Sequence, residues 1–180
     1  PHDSKSRAGG VLYSDYSLGR FFADAARQPW FENTIFLVTA DHCASSAGRT
    51  EIPLQKYHIP ALILAPGLIE PGVVDGIVSQ IDLMPTLLSL LNMSYDSHFY
   101  GRSIFDPAYV NRAFIATYQD LGYLEGDTFT ILLPVRRFEQ YRVVPTEENP
   151  HHLETMERKD AMQVDRAIGY YQTSCKWNKR

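Results

Sequence analysis

The sequence predicts an α/β fold: a partial sheet flanked by helices, followed by a small antiparallel sheet and a closing helix. A segment with helical spacing of its apolar residues leads into two short continuous apolar runs, which are typical of strands buried on both faces. The last third instead alternates short β-branched and aromatic runs with tight turns. With 180 residues, 44% of them hydrophobic and 21% charged, the chain can bury one sizeable core. We therefore predict a single domain, with residues 1–110 in the α/β core and residues 111–180 in the antiparallel sheet and closing helix.

The first element is an amphipathic helix predicted over residues 15–28, for which Ser14 or Asp15 is a suitable N-cap. The segment PWFEN, residues 29–33, ends this helix because proline cannot continue it. The apolar face of the helix consists of Leu18, Phe21, Phe22, Ala25 and Ala26.

The two buried strands are the runs TIFLVTA, residues 34–40, and PALILA, residues 60–65. A polar loop separates them, and the dipeptide Pro66-Gly67 is a turn signal that ends the second. A helix follows, with Asp82 as its N-cap, Pro85 in its first turn and an apolar face in the run LLSLLNM. The order helix, strand, strand, helix indicates part of an α/β sheet with helices on its faces.

The last third predicts short strands over residues 114–118, 123–124 and 128–133, with a further strand within residues 134–144. The turn at residues 125–127 would join two of these strands as a hairpin. A polar segment then leads into the closing helix, whose predicted apolar face consists of Met156, Ala161, Val164 and Ile168.

Composition excludes several classes of function. The formal net charge of −4 and the absence of a basic stripe argue against nucleic acid as a partner. The longest apolar stretch, residues 59–69, is interrupted by prolines and falls short of the roughly 20 residues that span a bilayer. Two cysteines, Cys43 and Cys175, do not make a disulfide-stapled scaffold.

Asp41 and His42 directly follow the first predicted strand. Ligands of open α/β sheets bind at the carboxyl ends of strands. A carboxylate oxygen and a neutral imidazole nitrogen both bind Mn²⁺, Zn²⁺ or related ions. The pair therefore indicates a metal site, with the alternative that Asp41 caps the loop and His42 simply packs.

Three blocks occur in order along the chain: VLYSDYSLGRFFADAARQPWFENTIFLVTADHCASSAG, KYHIPALILAPG and VSQIDLMPTLLSLL. Together they resemble the C-terminal half of the sulfatase-like catalytic domain in the alkaline phosphatase superfamily, most closely that of lipoteichoic acid synthase and related phosphoglycerol transferases. The resemblance implies that residues 1–110 are the C-terminal part of that core. It also implies an upstream half of the same catalytic domain that supplies the nucleophile, so this chain alone is expected to be inactive.

The same resemblance implies roles for particular residues. Asp41 and His42 match the pair that binds the catalytic divalent metal, commonly Mn²⁺, with Zn²⁺ or Mg²⁺ as alternatives. His58, in KYHIP, matches a histidine that acts as a catalytic or substrate contact near the metal; the alternative is a surface histidine at the start of a strand. Lys56 and Arg49 are nearby cations that could bind a phosphate or sulfate oxygen, or could be solvated surface.

Other polar residues receive structural interpretations. We interpret Asp82 as a helix cap rather than a metal ligand, and His151 and His152 as exposed side chains. Cys43 is followed by Ala-Ser-Ser-Ala and not by the x-P-x-R context of a sulfatase formylglycine, so it is expected to be a small packed side chain.

The implied activity of the longer enzyme is a two-step transfer on cell-envelope lipid or glycan. A metal-activated hydroxyl would attack a phosphodiester such as the phosphatidylglycerol head group, and an acceptor hydroxyl would discharge the covalent phosphoglycerol-enzyme. A sulfatase or phosphodiesterase of the same superfamily, acting on another anionic ester, is the first alternative, and a non-catalytic accessory domain is the second. The resemblance further implies a membrane-anchored parent with an extracytoplasmic catalytic domain, of which this chain would be a soluble part.

Overall fold

The computed structural model describes residues 6–43 and 52–177. The chain divides into two compact units, one formed by Pro1–Val38 with Ala61–Val73 and the other by Thr39–Pro60 with Val74–Arg180. Helices and strands are both present, so the predicted α/β class is confirmed. The grouping of residues 1–110 and 111–180 into one domain stays a prediction. None of the helices within the described ranges is long and apolar enough to cross a membrane.

The first unit begins with helix α1, Arg7–Ala25. The predicted start near residue 15 is wrong, because the Ser6 side chain caps the helix by accepting a hydrogen bond from the Gly9 N–H at 3.0 Å. The helix also ends three residues earlier than predicted, at Ala25, although it does stop before Pro29.

Strands β1, Phe36–Thr39, and β2, Ala61–Leu64, form a two-stranded sheet at the positions that the sequence predicts. The Phe36 ring contacts four aromatic rings at centroid distances of 5.3–6.2 Å, namely those of Phe21, Phe22, Trp30 and Phe31. Two-sided burial, however, is not found: β1 is half-buried over most of its length, and the first residues of β2 are exposed. The described residues of this unit therefore bury less of the two strands than their apolar sequences predict.

The second unit contains helix α2 and an antiparallel sheet that is closed by helix α3. In the described residues, α2 spans Leu83–Leu90 and α3 spans Ala161–Trp177. The sheet follows the order β3-β4-β5-β6-β7, and each neighbouring pair is antiparallel. Its strands are Arg112–Ala116, Leu121–Glu125, Thr128–Leu133, Arg137–Val143 and Leu153–Thr155.

Both faces of this sheet are covered, which explains why β5 is buried from Thr128 to Ile131. On one face, Ile52 and Leu54 pack with Phe129 and Ile131 in the main core cluster. On the other face, α3 packs over a polar network. Gln140 Nε2 donates to Thr130 Oγ1 at 2.9 Å, and Thr130 donates in turn to Gln163 Oε1 at 2.7 Å.

Two details of the last third differ from the sequence prediction. The buried face of α3 is formed by Gln163, Val164 and Ala167, whereas Ala161 is exposed and Met156 precedes the helix. The edge strand β7 was not predicted, because it is three residues long and has a polar sequence. The β4–β5 hairpin is confirmed, and Gly126 adopts the left-handed conformation that its turn requires, with φ of +59°.

Asp82 occupies the N-cap position of α2, but its side chain makes no cap hydrogen bond to that helix. It accepts a hydrogen bond from the Ser79 N–H at 3.2 Å, which completes a capping box over the preceding 3-10 turn, Gln80–Asp82. It also forms a fully buried ion pair with Arg112 across 3.2 Å. The predicted position of Asp82 at the start of α2 is confirmed, but its side chain caps the preceding turn and pairs with Arg112 instead of capping α2.

Candidate functional site

The candidate site lies in the second unit, where the chain leaves β1. Gln80 Nε2 donates to the carbonyl oxygens of Ala40 and Asp41 at 3.0 and 3.1 Å. The Ala40 N–H donates to the Pro60 carbonyl at 3.4 Å. The backbone at Asp41 is therefore held by the turn before α2 and by the residue before β2. Gln80 belongs to the sequence block VSQIDLMPTLLSLL. The sequence did not predict that a residue of this block holds the backbone at Asp41.

His42 has a defined tautomer. Its Nδ1 lies 2.9 Å from the Cys43 carbonyl oxygen, which can only accept a hydrogen bond, so Nδ1 carries the proton. The lone pair of a neutral ring then resides on Nε2, the form in which histidine binds metals. Asp41 Oδ1 accepts a hydrogen bond from the His42 backbone N–H at 2.9 Å. The other carboxylate oxygen, Oδ2, is therefore the one that faces the His42 ring.

Asp41 Oδ2 and His42 Nε2 lie 3.5 Å apart, and both side chains are largely exposed, by 87% and 71%. Two acceptor atoms at this distance repel each other unless a proton or a cation lies between them. Both can reach one divalent ion with bonds of about 2.0–2.2 Å. The donor set, one carboxylate and one imidazole with a carbonyl behind it, therefore fits a divalent metal such as Mn²⁺ or Zn²⁺.

The pair does not make a complete metal site by itself. Among residues 6–43 and 52–177, no group of three or more His, Cys, Asp or Glu side chains is arranged to hold a metal ion. Further His, Cys, Asp or Glu ligands would have to come from outside the described residues.

His58 is held beside this loop by its neighbours in the chain. Leu54, at the start of the 3-10 turn Leu54–Lys56, is buried in the core, and the Tyr57 hydroxyl donates to the Ala116 carbonyl at 3.3 Å. Burial raises the pKa of Tyr57. The Cys43 thiol donates to the His58 carbonyl at 3.1 Å, which ties the residue after the metal pair to His58. The His58 side chain itself is exposed.

His151 lies beside His58, with ring centroids 5.4 Å apart and ring planes at 85°. The prediction that the His151 side chain is exposed is wrong, because the side chain is half-buried. Burial, and secondarily the neighbouring His58, lower its pKa. No local sequence signal could have revealed this contact, because it depends on the packing of the β6–β7 connection against the segment before β2.

The two cations predicted to assist here remain predictions. Lys56 ends its 3-10 turn and is half-buried. Arg49 lies outside the described residues. Cys43 forms no disulfide with Cys175.

Known proteins similar to this chain belong to the sulfatase family and the alkaline phosphatase superfamily. The sulfatase family model matches residues 2–93, just over half of the chain and the part that contains Asp41, His42 and His58. The chain belongs to the sulfatase family. An arylsulfatase from Clostridium perfringens (strain 13 / Type A) is 30% identical over 107 residues. The match covers 54% of this chain and 22% of the arylsulfatase, so this chain corresponds to only a small part of its relative.

A similar fold occurs in the crystal structure, at 1.95 Å, of a protein in the alkaline phosphatase superfamily from Vibrio parahaemolyticus. Its TM-score is 0.81 at 30% sequence identity, and the superposition covers 97% of this chain and 44% of that one. The resemblance to a sulfatase-like domain of this superfamily is thus confirmed. Sulfatase-family relatives are enzymes, and members of the superfamily generally depend on divalent metals.

Proposed function

We propose that Asp41 and His42 are two ligands of a catalytic divalent cation, Mn²⁺, in a phosphoglycerol transferase of the lipoteichoic acid synthase type. The observation that carries the proposal is the facing pair of acceptors, Asp41 Oδ2 and His42 Nε2, with the tautomer of His42 fixed by the Cys43 carbonyl. The position of the pair at the carboxyl end of β1 supports it, since ligands of α/β sheets bind there.

The proposed reaction transfers phosphoglycerol in two steps. A nucleophilic hydroxyl from the upstream half attacks phosphorus, the bond to the diacylglycerol oxygen breaks, and that oxygen takes up a proton. An acceptor hydroxyl then displaces the enzyme oxygen from phosphorus. A bound cation supplies Lewis acidity, which lowers the pKa of a hydroxyl and neutralises charge on the ester oxygens. In this chain Asp41 and His42 hold the cation, and His58 contacts the ester, with Lys56 and Arg49 as further donors.

The second candidate is hydrolysis of a sulfate ester. The identity shared with an arylsulfatase supports it, and the same metal pair would serve. The two activities differ in the leaving group and in whether water or an acceptor hydroxyl completes the reaction.

We also propose that the partner of this chain is the upstream half of the same catalytic domain. The half-covered strands β1 and β2 support this, because their sequences are those of strands buried on both faces. The 180-residue chain alone should then show no turnover, since residues 1–40 contain no match to the family nucleophile.

Metal binding can be tested on a chain extended by its upstream half, which would supply the further ligands that the pair needs. Mn²⁺ affinity would be measured by electron paramagnetic resonance for the wild type and for Asp41→Asn, which keeps the size of the side chain but removes its charge. We expect Asp41→Asn to weaken Mn²⁺ binding at least about tenfold. The matched control is Asp165→Asn, on the exposed side of α3, which should bind Mn²⁺ normally. Equal binding by all three proteins would contradict the metal assignment.

The reaction can be tested on a chain extended by its upstream half. With Mn²⁺ present, it would be given a fluorescent phosphatidylglycerol and an aryl sulfate in parallel. Release of diacylglycerol without sulfate supports the transferase, and sulfate release alone supports the second candidate. No turnover of either substrate, with normal Mn²⁺ binding, would favour a non-catalytic domain and refute both.

A further inference from the structure

His151 has no role in the site described above, yet it contacts His58, which lies 93 positions earlier in the chain. The edge-to-face contact at 5.4 Å places two imidazoles together on an accessible part of the second unit. The hydrogen bond from Cys43 to the His58 carbonyl places this pair next to the segment that carries Asp41 and His42.

The connection that carries His151 is held by several hydrogen bonds. The His151 N–H donates to Asn149 Oδ1 at 2.9 Å, and the Asn149 N–H donates to Thr146 Oγ1 at 3.0 Å. The Val144 N–H donates to the His152 carbonyl at 2.9 Å, directly before β7. These hydrogen bonds hold the backbone on both sides of His151, and the His58 ring packs against its side chain.

We propose that His58 and His151 form one anion subsite, which binds the non-bridging oxygens of the phosphate or sulfate ester beside the metal pair. This deepens the proposed function and rests on it. Each neutral imidazole offers one N–H donor, and two such donors suit an oxyanion that presents several acceptor oxygens. In the proposed site His151 contacts substrate directly and is a specificity-determining residue.

The electrostatic environment supports the same assignment. The burial of His151, and secondarily the neighbouring His58, lower the pKa of His151 and so disfavour its protonated form. A bound anion would favour the protonated form of His151 and would therefore raise its pKa. A metal between the two rings is less well supported, because no third His, Cys, Asp or Glu completes such a site among the described residues.

The test uses the 180-residue chain with a chelator present, so that the Asp41–His42 pair holds no metal. Histidine ring signals would be followed by NMR during titration with inorganic phosphate, inorganic sulfate and the headgroup diester glycerophosphoglycerol in separate arms. We expect the ring signals of His58 and His151 to move together and saturate, and the pKa of His151 to rise when anion is bound. Saturation with the diester at lower concentration than with phosphate would identify the headgroup, and the reverse order would identify the free anion.

Three variants decide between binding and packing. His151→Phe keeps an aromatic ring against His58 but has no donor, and His58→Ala removes the other donor; each should weaken anion binding about tenfold or more. His152→Ala is the matched control, because His152 is the exposed neighbour of His151, and it should bind like the wild type. Wild-type affinity in His151→Phe, or equal loss in His152→Ala, would overturn the proposal.

The failure of this inference can be distinguished from failure of the proposed function. If Mn²⁺ binding depends on Asp41 but anions leave the His58 and His151 signals unchanged, the subsite is wrong and the metal site stands. If anions bind while Asp41→Asn has no effect on Mn²⁺, the subsite stands and the metal assignment is wrong. Signals of the pair that respond to Zn²⁺ and not to anions would make it a metal site and refute the anion assignment.

Discussion

Asp82 and Arg112 show how a single buried pair can organise the second unit. Their side chains are 0% and 2% exposed, and the carboxylate also accepts hydrogen bonds from the Tyr109 hydroxyl at 2.9 Å and the Arg102 N–H at 2.9 Å. The guanidinium lies 5.5–5.9 Å from the ring centres of three aromatic residues, Tyr109, Phe114 and Tyr170. The pair therefore fixes the start of α2 against the edge of the sheet.

Replacing Asp82 should be strongly destabilising. Asp82→Ala leaves the buried Arg112 charge without its partner, and we expect a loss of about 3–5 kcal/mol in the free energy of unfolding. The control is Asp106→Asn in the exposed pair with Arg102, where the loss should stay under about 1 kcal/mol. Urea denaturation measures both. A small loss in Asp82→Ala would mean that the pair is replaceable by the surrounding hydrogen bonds.

His151 should make stability depend on pH. Its pKa in the folded chain lies below the ordinary value of 6.5, so the unfolded chain takes up a proton more readily. The contribution is therefore complete above about pH 6.5 and is lost as the pH falls through the lower folded pKa. Urea denaturation at pH 7.5 and pH 5 should show a larger acid-induced loss for the wild type than for His151→Gln. Equal losses would show that His151 is not responsible.

One close contact between backbone segments requires glycine at position 101. A Cβ at Gly101 would lie 2.0 Å from the Ile81 carbonyl oxygen, so the segment after α2 can approach the turn before α2 only without a side chain. Gly169, inside α3, has open space around the same position. A side chain is therefore excluded at Gly101 and can be accommodated at Gly169.

Alanine substitutions should separate these cases. Gly101→Ala must displace backbone and should lower the free energy of unfolding by several kcal/mol, whereas Gly169→Ala should raise it by about 0.5–1 kcal/mol through better helix propensity. Thermal unfolding followed by circular dichroism measures both changes. A similar effect at the two positions would contradict the contact at Ile81.

At the scale of the whole molecule, the two units differ in how fully their apolar residues are covered. The second unit has a core sealed on both faces of its sheet. In the first unit, α1 leaves large apolar side chains exposed by 38–72%, namely those of Val11, Leu12, Tyr13, Tyr16, Leu18 and Phe21. A helix with apolar residues around much of its circumference is typical of a buried element.

This contrast predicts where the upstream half binds. Val11→Lys places a charge on the exposed apolar surface of α1 and should weaken association with a separately produced upstream half at least about tenfold. Glu70→Lys, an exposed charge change in the same unit, is the control and should leave association unchanged. Isothermal calorimetry of the mixed halves measures both. Association that survives Val11→Lys would place the contact elsewhere.

The periodic and local features could be predicted from sequence. The positions of β1, β2, α2 and the β4–β5 hairpin follow from apolar runs and turn residues that lie within a few positions of one another. The start of α1 was missed because the helix continues through Gly9 and Gly10 to the cap at Ser6. Strand β7 was missed because its pairing with β6, and not its own sequence, makes it a strand.

The sequence by itself determined the α/β class, the sulfatase-like blocks and the adjacency of Asp41 and His42, because each is encoded in neighbouring residues. Only the tertiary structure decided the support from Gln80, the burial of Arg112 and the contact of His58 with His151. These depend on hydrogen bonds and packing between residues that are distant in sequence. No periodicity or short motif records such contacts, since they form only when separate elements pack together.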